Sequence, residues 1–286
     1  MKSFYVFSLF ILASLNAWAD DYDKIVARLQ EMDQKPNTAL FTLGQNDQGR
    51  DILGIVLGDT SRAITKHLVV GTHHGNERAA ADLPFYFIEE ILPQLSEDTV
   101  IYVVPVLNIT GYNRSRREET GSDNKPHDAN RDYEDACKPK ADFQLKSTLL
   151  AAEFMEKENI IAAVSLHGYV GTFTYPWGTS MTDYKTVDDV YMEDWAKKAA
   201  AHNGYKTGTH GGAIYPAIGS FEDYAYFKMG VWSYLLEIKS PQSDLRKDAK
   251  TLVEFFKQVP RERSKNVGQR LNCVKRILNT SELSRP

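Results

Sequence analysis

An α/β fold is what this chain of 286 residues predicts: a single-domain mixed, mostly parallel sheet with helices on both faces. Three observations carry that reading. Short apolar runs of strand length alternate along the chain with longer segments of helical character. The aliphatic runs lack strict polar–apolar alternation, which suits strands buried on both faces rather than a half-solvated sheet. Hydrophobic residues make up 42% of the chain, enough for the sizeable core such a sheet requires.

Taken in order, a helix is expected over 22–32, where YDKIVARLQEM spaces its apolar residues by helical turns, and a strand over 52–57 (ILGIVL). Residues 67–72 (HLVVGT) form the next strand and 78–95 the next helix. The strand over 100–107 (VIYVVPVL) leads into a long polar stretch, 108–135, read as a loop; loops of that length are usually functional or disordered. A helix over 143–157, strands over 160–166 and 171–175, a helix over 187–203, a strand over 232–238 (WSYLLEI) and a helix over 244–263 complete the set. No repeat, low-complexity block or long Pro/Gly/Ser linker interrupts them.

The first nineteen residues differ from the rest. Lys2 precedes the apolar run SFYVFSLFILASL, and Ala17-Trp18-Ala19 forms a small-x-small cleavage site before Asp20. Residues 1–19 are therefore expected to be a secretory signal peptide, with an uncleaved anchor as the alternative, and 20–286 the single mature domain. The mature chain is expected to be exported, periplasmic or secreted, without a membrane anchor. A net charge of −4 gives no indication of a nucleic-acid partner. Two cysteines, Cys137 and Cys273, could pair in an oxidising compartment or stand as separate thiols.

The stretch GTHHGNERAA at 71–80 places two histidines and a glutamate where an apolar run ends. In α/β sheets, ligands sit beyond the carboxyl ends of strands. His74 and Glu77, three apart on a turn into a helix, share one face and can grip one ion. Imidazole nitrogen with carboxylate oxygen suits zinc, and two histidines with one glutamate make an open catalytic site. His167, at the end of IIAAVSL, is the best placed third ligand for one Zn2+. His73 is the rival to His74 and is given a structural or supporting role.

At this point the sequence resembles the zinc carboxypeptidase family. Gln48-Gly49-Arg50 resembles its early E-G-R segment, His74-Gly75-Asn76-Glu77 its H-x-x-E pair, and Asn108-Ile109-Thr110-Gly111-Tyr112 its N-P-x-G-[FY] turn, with Ile109 replacing proline. Asp128-Ala129-Asn130-Arg131 resembles D-x-N-R. The histidine at 167 with Gly168-Tyr169, and Tyr175-Pro176-Trp177-Gly178 after it, resemble H-S-Y…Y-P-[YW]-G. Tyr215 through Asp223-Tyr224-Ala225-Tyr226 and the strand-borne Leu236-Glu237-Ile238 complete the series.

The resemblance implies that His74, Glu77 and His167 hold the metal and that Glu237 is the general base. Arg117, or Arg116, would polarise the scissile carbonyl, while Asn130 and Arg131 would clamp the substrate's terminal carboxylate. It further implies that Tyr215 covers the chain end and that Asp128 orients the first histidine. The chemistry is coherent in itself, because a fixed guanidinium reads a carboxylate in bidentate fashion and so measures a chain end. Structural alternatives remain for single residues: Glu237 as a paired buried carboxylate, Arg131 as a neighbour to Asp128 or Asp132, Tyr215 as loop packing, and Asp223 as structural.

Glu222 occupies the family position that lines the pocket for the terminal side chain, where an acid implies a cationic end; the alternative is a glutamate facing solvent. The compact exported form resembles bacterial enzymes that trim cell-wall peptides. The expected substrate is a peptide, specifically murein stem peptides containing diaminopimelate. A general exported carboxypeptidase with basic preference and an N-acyl amino acid deacylase stand as alternatives.

Overall fold

The computed structural model describes residues 20–136, 143–179 and 185–267. The expected signal segment and both cysteines lie outside the described residues.

Helix α1 (Asp21–Met32) opens with Asp20 as its N-cap, whose carboxylate accepts from the Asp23 amide at 3.0 Å. Arg50 of the Q-G-R segment reaches back to Asp20 and Asp23, both at 2.7 Å, pinning this helix to the sheet. The main sheet has eight strands: β1 (Thr38–Gln45), β2 (Asp51–Leu57), β3 (Thr65–Gly71), β4 (Thr99–Val104), β7 (Ala162–Gly168), β8 (Thr172–Tyr175), β9 (Lys206–Thr209) and β10 (Trp232–Ile238). Their spatial order is β1-β2-β4-β3-β7-β10-β8-β9. The centre, β4-β3-β7-β10, is parallel, as is the β8–β9 pair; β1–β2, β2–β4 and β8–β10 are antiparallel. The mixed, mostly parallel sheet expected from the unalternating aliphatic runs is what the chain forms.

Helices cover both faces. On one, α2 (Ala79–Ile91), α5 (Asp189–Ala200) and α8 (Leu245–Gln258) pack together. Phe256 of α8 packs against His67 of β3, and Phe255 against Tyr234 of β10, both with tilted rings. The other face carries α4 (Lys146–Lys157), whose Phe154 meets Tyr102 of β4, and α7 (Phe221–Met229), whose Glu222 meets Ser165 of β7.

The stretch read as a loop is more structured than its composition suggests. It holds α3 (Ile109–Arg114), the two-residue strands β5 (Glu119–Thr120) and β6 (Pro126–His127), and a 3-10 turn at Ala129–Arg131. The edge strands β1 and β9 were not expected, nor were the four-residue α6 (His210–Ala213) and α7. The reasons are local. β1 is half-exposed along its length, β9 has four residues with a glycine among them, and α7 buries Glu222 and Asp223 in its first turn.

Register sets the site. His167, Glu237 and Thr172 are lateral partners across β7, β10 and β8, at the carboxyl ends of the parallel strands. Two residues back on β7 and β10, Ser165, Leu235 and Thr174 form the row beneath. The two-residue period puts both rows on the face that α7 covers.

Candidate active site

β3 ends at Gly71, and the chain turns through Thr72 with φ of +59°. This left-handed conformation is costly for a β-branched residue, of order 1–3 kcal/mol. Thr72 is held there by its amide on Leu166 O at 3.4 Å and its hydroxyl on Pro105 O at 3.0 Å. The turn throws His73 and His74 to the top of the sheet. Gly75 follows, where a Cβ would lie 1.9 Å from the Gly111 carbonyl carbon, so only glycine lets this loop lie against α3. The Glu77 amide then bonds His74 O at 3.1 Å, closing a turn that sets both side chains on one side.

Asn108 ties this loop to the next. Its side-chain amide donates to His73 O and Arg117 O, each at 3.0 Å, and its Oδ1 accepts from the Gly111 amide at 2.7 Å. The residue is fully buried. Its positioning role was not read from the sequence, although the N-x-x-G motif that contains it was.

Three ligand side chains converge. His74 Nδ1 lies 2.8 Å from Glu77 Oε1, His167 Nδ1 lies 3.1 Å from Glu77 Oε2, and the two Nδ1 atoms are 3.1 Å apart. All three residues are buried. Two imidazole nitrogens and a carboxylate oxygen within 4.8 Å of one another are a donor set that fits zinc. Burial would raise the Glu77 pKa, but hydrogen bonds and charge from His167 and His74 hold it near 2, so the carboxylate is ionised and ready to ligate.

Behind the ligands, His74 Nε2 lies 3.1 Å from Asp128 Oδ1, fixing the ring. The other oxygen of Asp128 accepts from Arg117 Nε and Nη2 at 3.0 and 2.9 Å, leaving Arg117 Nη1 3.2 Å from His74 Nδ1. Burial opposes ionisation of Asp128, but His74, Arg117 and Arg131 hold its pKa well below the usual carboxylate range. Arg117, not the exposed Arg116, is the arginine at the site. His73 lies behind, stacked on His167 at 5.4 Å with its Nε2 3.1 Å from the Tyr133 hydroxyl.

Asn130 is buried with both ends of its amide engaged. Its Oδ1 accepts from the Phe221 amide at 2.8 Å, and its Nδ2 lies 3.4 Å from His167 Nε2. The side chain thus links the third histidine to the start of α7. Arg131 bonds Asn130 O at 2.5 Å and lies 5.8 Å from the ring of Tyr215, which is 44% exposed.

Glu237 projects from the row it shares with His167, buried, with Oε2 unpartnered. Burial pushes its pKa up to about 7; charge on Glu77 and Glu222 adds to this, and His167 and His74 oppose it. Glu222 does not face solvent. It is 1% exposed, one oxygen accepting from Ser165 Oγ. Asp223 accepts twice from the Gly178 amide, at 2.8 and 3.0 Å, which is a structural contact.

A model of the zinc carboxypeptidase family matches residues 25–258. The chain belongs to this family. Mouse carboxypeptidase M is 23% identical over 269 residues, covering 78% of this chain and 61% of its own length, so the chain spans less than two thirds of that relative. Bovine thrombin-activatable fibrinolysis inhibitor, solved with a tick carboxypeptidase inhibitor, superposes with a TM-score of 0.70 at 16% identity, covering 82% of this chain and 94% of the other. Murein-tripeptide amidase MpaA from Escherichia coli O157 gives a TM-score of 0.52 at 15% identity, covering 81% and 94%. These similarities are to the same zinc carboxypeptidase fold. Among the described residues no helix is long and apolar enough to cross a membrane.

One buried residue near the site was not singled out from the sequence. His210 lies against Gly178 and Tyr215. It sits in no motif that would flag it, and only the fold brings it against Gly178 and Tyr215.

Proposed function

We propose that this chain is a zinc-dependent metallocarboxypeptidase that removes the C-terminal residue of peptides. We further propose that residues 1–19 are its export signal and 20–286 its catalytic domain. The single observation that supports the reading best is the convergence of His74, Glu77 and His167 beside Glu237, on one loop and two adjacent strands.

One ion, when bound, supplies Lewis acidity and an acidified water. The chain's own groups do the rest. Glu237, poised near neutrality, accepts the water proton and passes it to the leaving amine. Arg117, oriented by Asp128, sets a fixed positive charge where an oxyanion develops. Arg131 receives the terminal carboxylate, Tyr215 stands beside it at the crevice mouth, and Asn130 keeps His167 in line with α7. Glu222 faces the terminal side chain. Murein stem peptides ending in diaminopimelate are the favoured substrate: the acid at Glu222 supports a cationic end, and a murein-tripeptide amidase shares the fold. The buried Glu222 equally supports peptides ending in lysine or arginine.

Glu237→Gln tests the reading. The variant should keep its metal and lose about 10²- to 10⁴-fold in kcat, followed by mass spectrometry of released C-terminal residues. Turnover near that of the parent would remove Glu237 from the base role.

A further inference from the structure

A second cavity opens at the other end of the sheet. The catalytic cluster stands at the carboxyl ends of the parallel strands; this cavity, of about 260 Å³, lies at the amino ends of β3 and β4. The 3-10 turn Leu92–Gln94 after α2 flanks it on one side, and the last turn of α8 on the other. None of the residues placed in the catalytic site lines it.

Its walls are largely apolar. Ile91, Leu95, Ile101, Phe256 and Val259 line it, and the hydroxyls of Thr65 and Thr99 satisfy each other at 2.8 Å. His67 is the exception. It pairs with Ile101 across β3 and β4, is 3% exposed, and its ring centre lies 5.1 Å from that of Phe256. Burial pushes its pKa down to about 4, so the ring is neutral, with one N–H and one bare nitrogen. Of the two nitrogens, Nδ1 alone is sealed off without a partner. Orphaned buried N–H groups are rarer in native proteins than orphaned acceptors, so the proton is assigned to Nε2. The ring lines the cavity and offers that donor to what fills it.

The charge on the lining has one sign. Lys257 and Arg261, both exposed, are among the lining residues, and no Asp or Glu is, among the described residues. Asp98 lies outside the lining and holds Arg261 at 2.6 Å, which leaves Lys257 as the second cation. A donor inside and positive charge at the mouth call for an acceptor that carries negative charge. The apolar walls call for a compact hydrocarbon body. An apolar cavity of about 150 Å³ takes a benzene ring, so this one has room for a ring and a short acidic arm.

We propose that this cavity is a second small-molecule site, apart from the catalytic crevice, for a monocarboxylate with an apolar body of about one ring. The carboxylate accepts from His67 Nε2 and faces Lys257, and the hydrocarbon part fills the space between the apolar walls.

Calorimetric titration of the zinc-loaded protein with phenylacetate tests the site, with phenylacetamide as the uncharged match. A Kd on the order of 0.1–1 mM is expected for an acid of this size. The amide should bind at least about tenfold more weakly. His67→Leu should weaken phenylacetate about 10- to 100-fold, and His67→Gln, which keeps an N–H, should recover part of the loss. Lys257→Glu, on the exposed rim, should weaken it about 2- to 10-fold, more at low salt than at high. Hydrolysis of peptides by all three variants should match the parent's kcat/KM. If His67→Leu fails to fold, Lys257→Glu and the amide comparison in the parent still decide. Absence of saturable binding leaves the cavity to water and overturns the proposal. Binding that neither His67→Leu nor Lys257→Glu weakens also overturns it, since the acid then sits at the catalytic metal. Equal affinity for acid and amide removes the carboxylate from the site. A kcat/KM that falls in step with phenylacetate binding counts against the site too, because the variants then act through the sheet.

Discussion

Two neighbouring parts of one crevice treat polar groups in opposite ways. Around His74, Glu77 and His167, ligand nitrogens, carboxylate oxygens and the guanidinium behind them are held by others at 2.8–3.4 Å. One row lower Thr174 Oγ1 has no partner, nor have Glu222 Oε2 on α7 and both His210 nitrogens on α6; in the upper row Thr172 Oγ1 is likewise unpartnered. The difference teaches how to read buried polarity. A satisfied network fixes geometry ahead of the reaction, while an unsatisfied set marks groups that a ligand is to complete. Glu237 belongs to both, sharing a row with His167 yet leaving Oε2 free for the proton it has to handle.

If the upper cluster is the metal-holding half, its variants should lose metal, and the ligand itself should cost most. His167→Ala should drop zinc, measured by elemental analysis of purified protein, and cut activity by more than the roughly hundredfold typical of a lost group behind a ligand. Full zinc occupancy would place the third ligand elsewhere and dissolve the contrast. Asp128→Asn comes next. It removes a carboxylate that serves His74 and Arg117 at once, so metal affinity or kcat/KM should fall about 10- to 100-fold. An unchanged zinc titration together with unchanged kinetics would show that the ring and guanidinium need no such anchor.

Asn108→Ala probes the same half from below. It leaves the His73 and Arg117 carbonyls without their donor in a buried place. The expected loss is about 1–3 kcal/mol of stability, read as a lower Tm in a thermal melt, with kcat/KM falling alongside as the two loops separate. A variant with the parent's Tm would mean the loops are held by Gly75 packing alone.

The sheet and the metal cluster were legible because both are written locally. Aliphatic runs name the inner strands, and β10 was located over its full Trp232–Ile238 span. The pair His74 and Glu77 share one turn, and His167 closes a strand. What escaped depends on juxtaposition across the fold. Ser165 and Thr174 become neighbours in a row only through β10 between them, and His210 meets Tyr215 and Gly178 only once α6 is placed. Arg116 and Arg117 are equivalent as letters; the bond to Asp128 separates them. The short α7 lacks an apolar stripe because its first turn turns acids inward.

Glu119 supplies the smallest expected effect on activity and the sharpest limit on the comparison. Like Glu222 it is a buried carboxylate with one oxygen on a serine, Ser147 Oγ at 2.5 Å, and one oxygen unpartnered. Unlike Glu222 it lies on β5, with its serine partner on α4. Burial raises its pKa to about 8, Asp47 and Asp132 adding to the rise and Ser147 opposing it. The native chain therefore holds a proton that the unfolded chain releases near its ordinary value of about 4.3. Between those two values the unfolded state binds fewer protons, so stability falls as pH rises and levels off above about pH 8. Glu119→Gln, which cannot ionise, should remove that decline. Against the parent, the variant's Tm should improve steadily from pH 5 to pH 8, while kcat/KM on any peptide stays close to the parent's. A pH-independent difference in Tm would mean that Glu119 is already ionised in the native chain. A changed substrate preference would mean that an unpartnered buried acid here serves the ligand as well, and the boundary drawn between the two halves of the crevice would have to move.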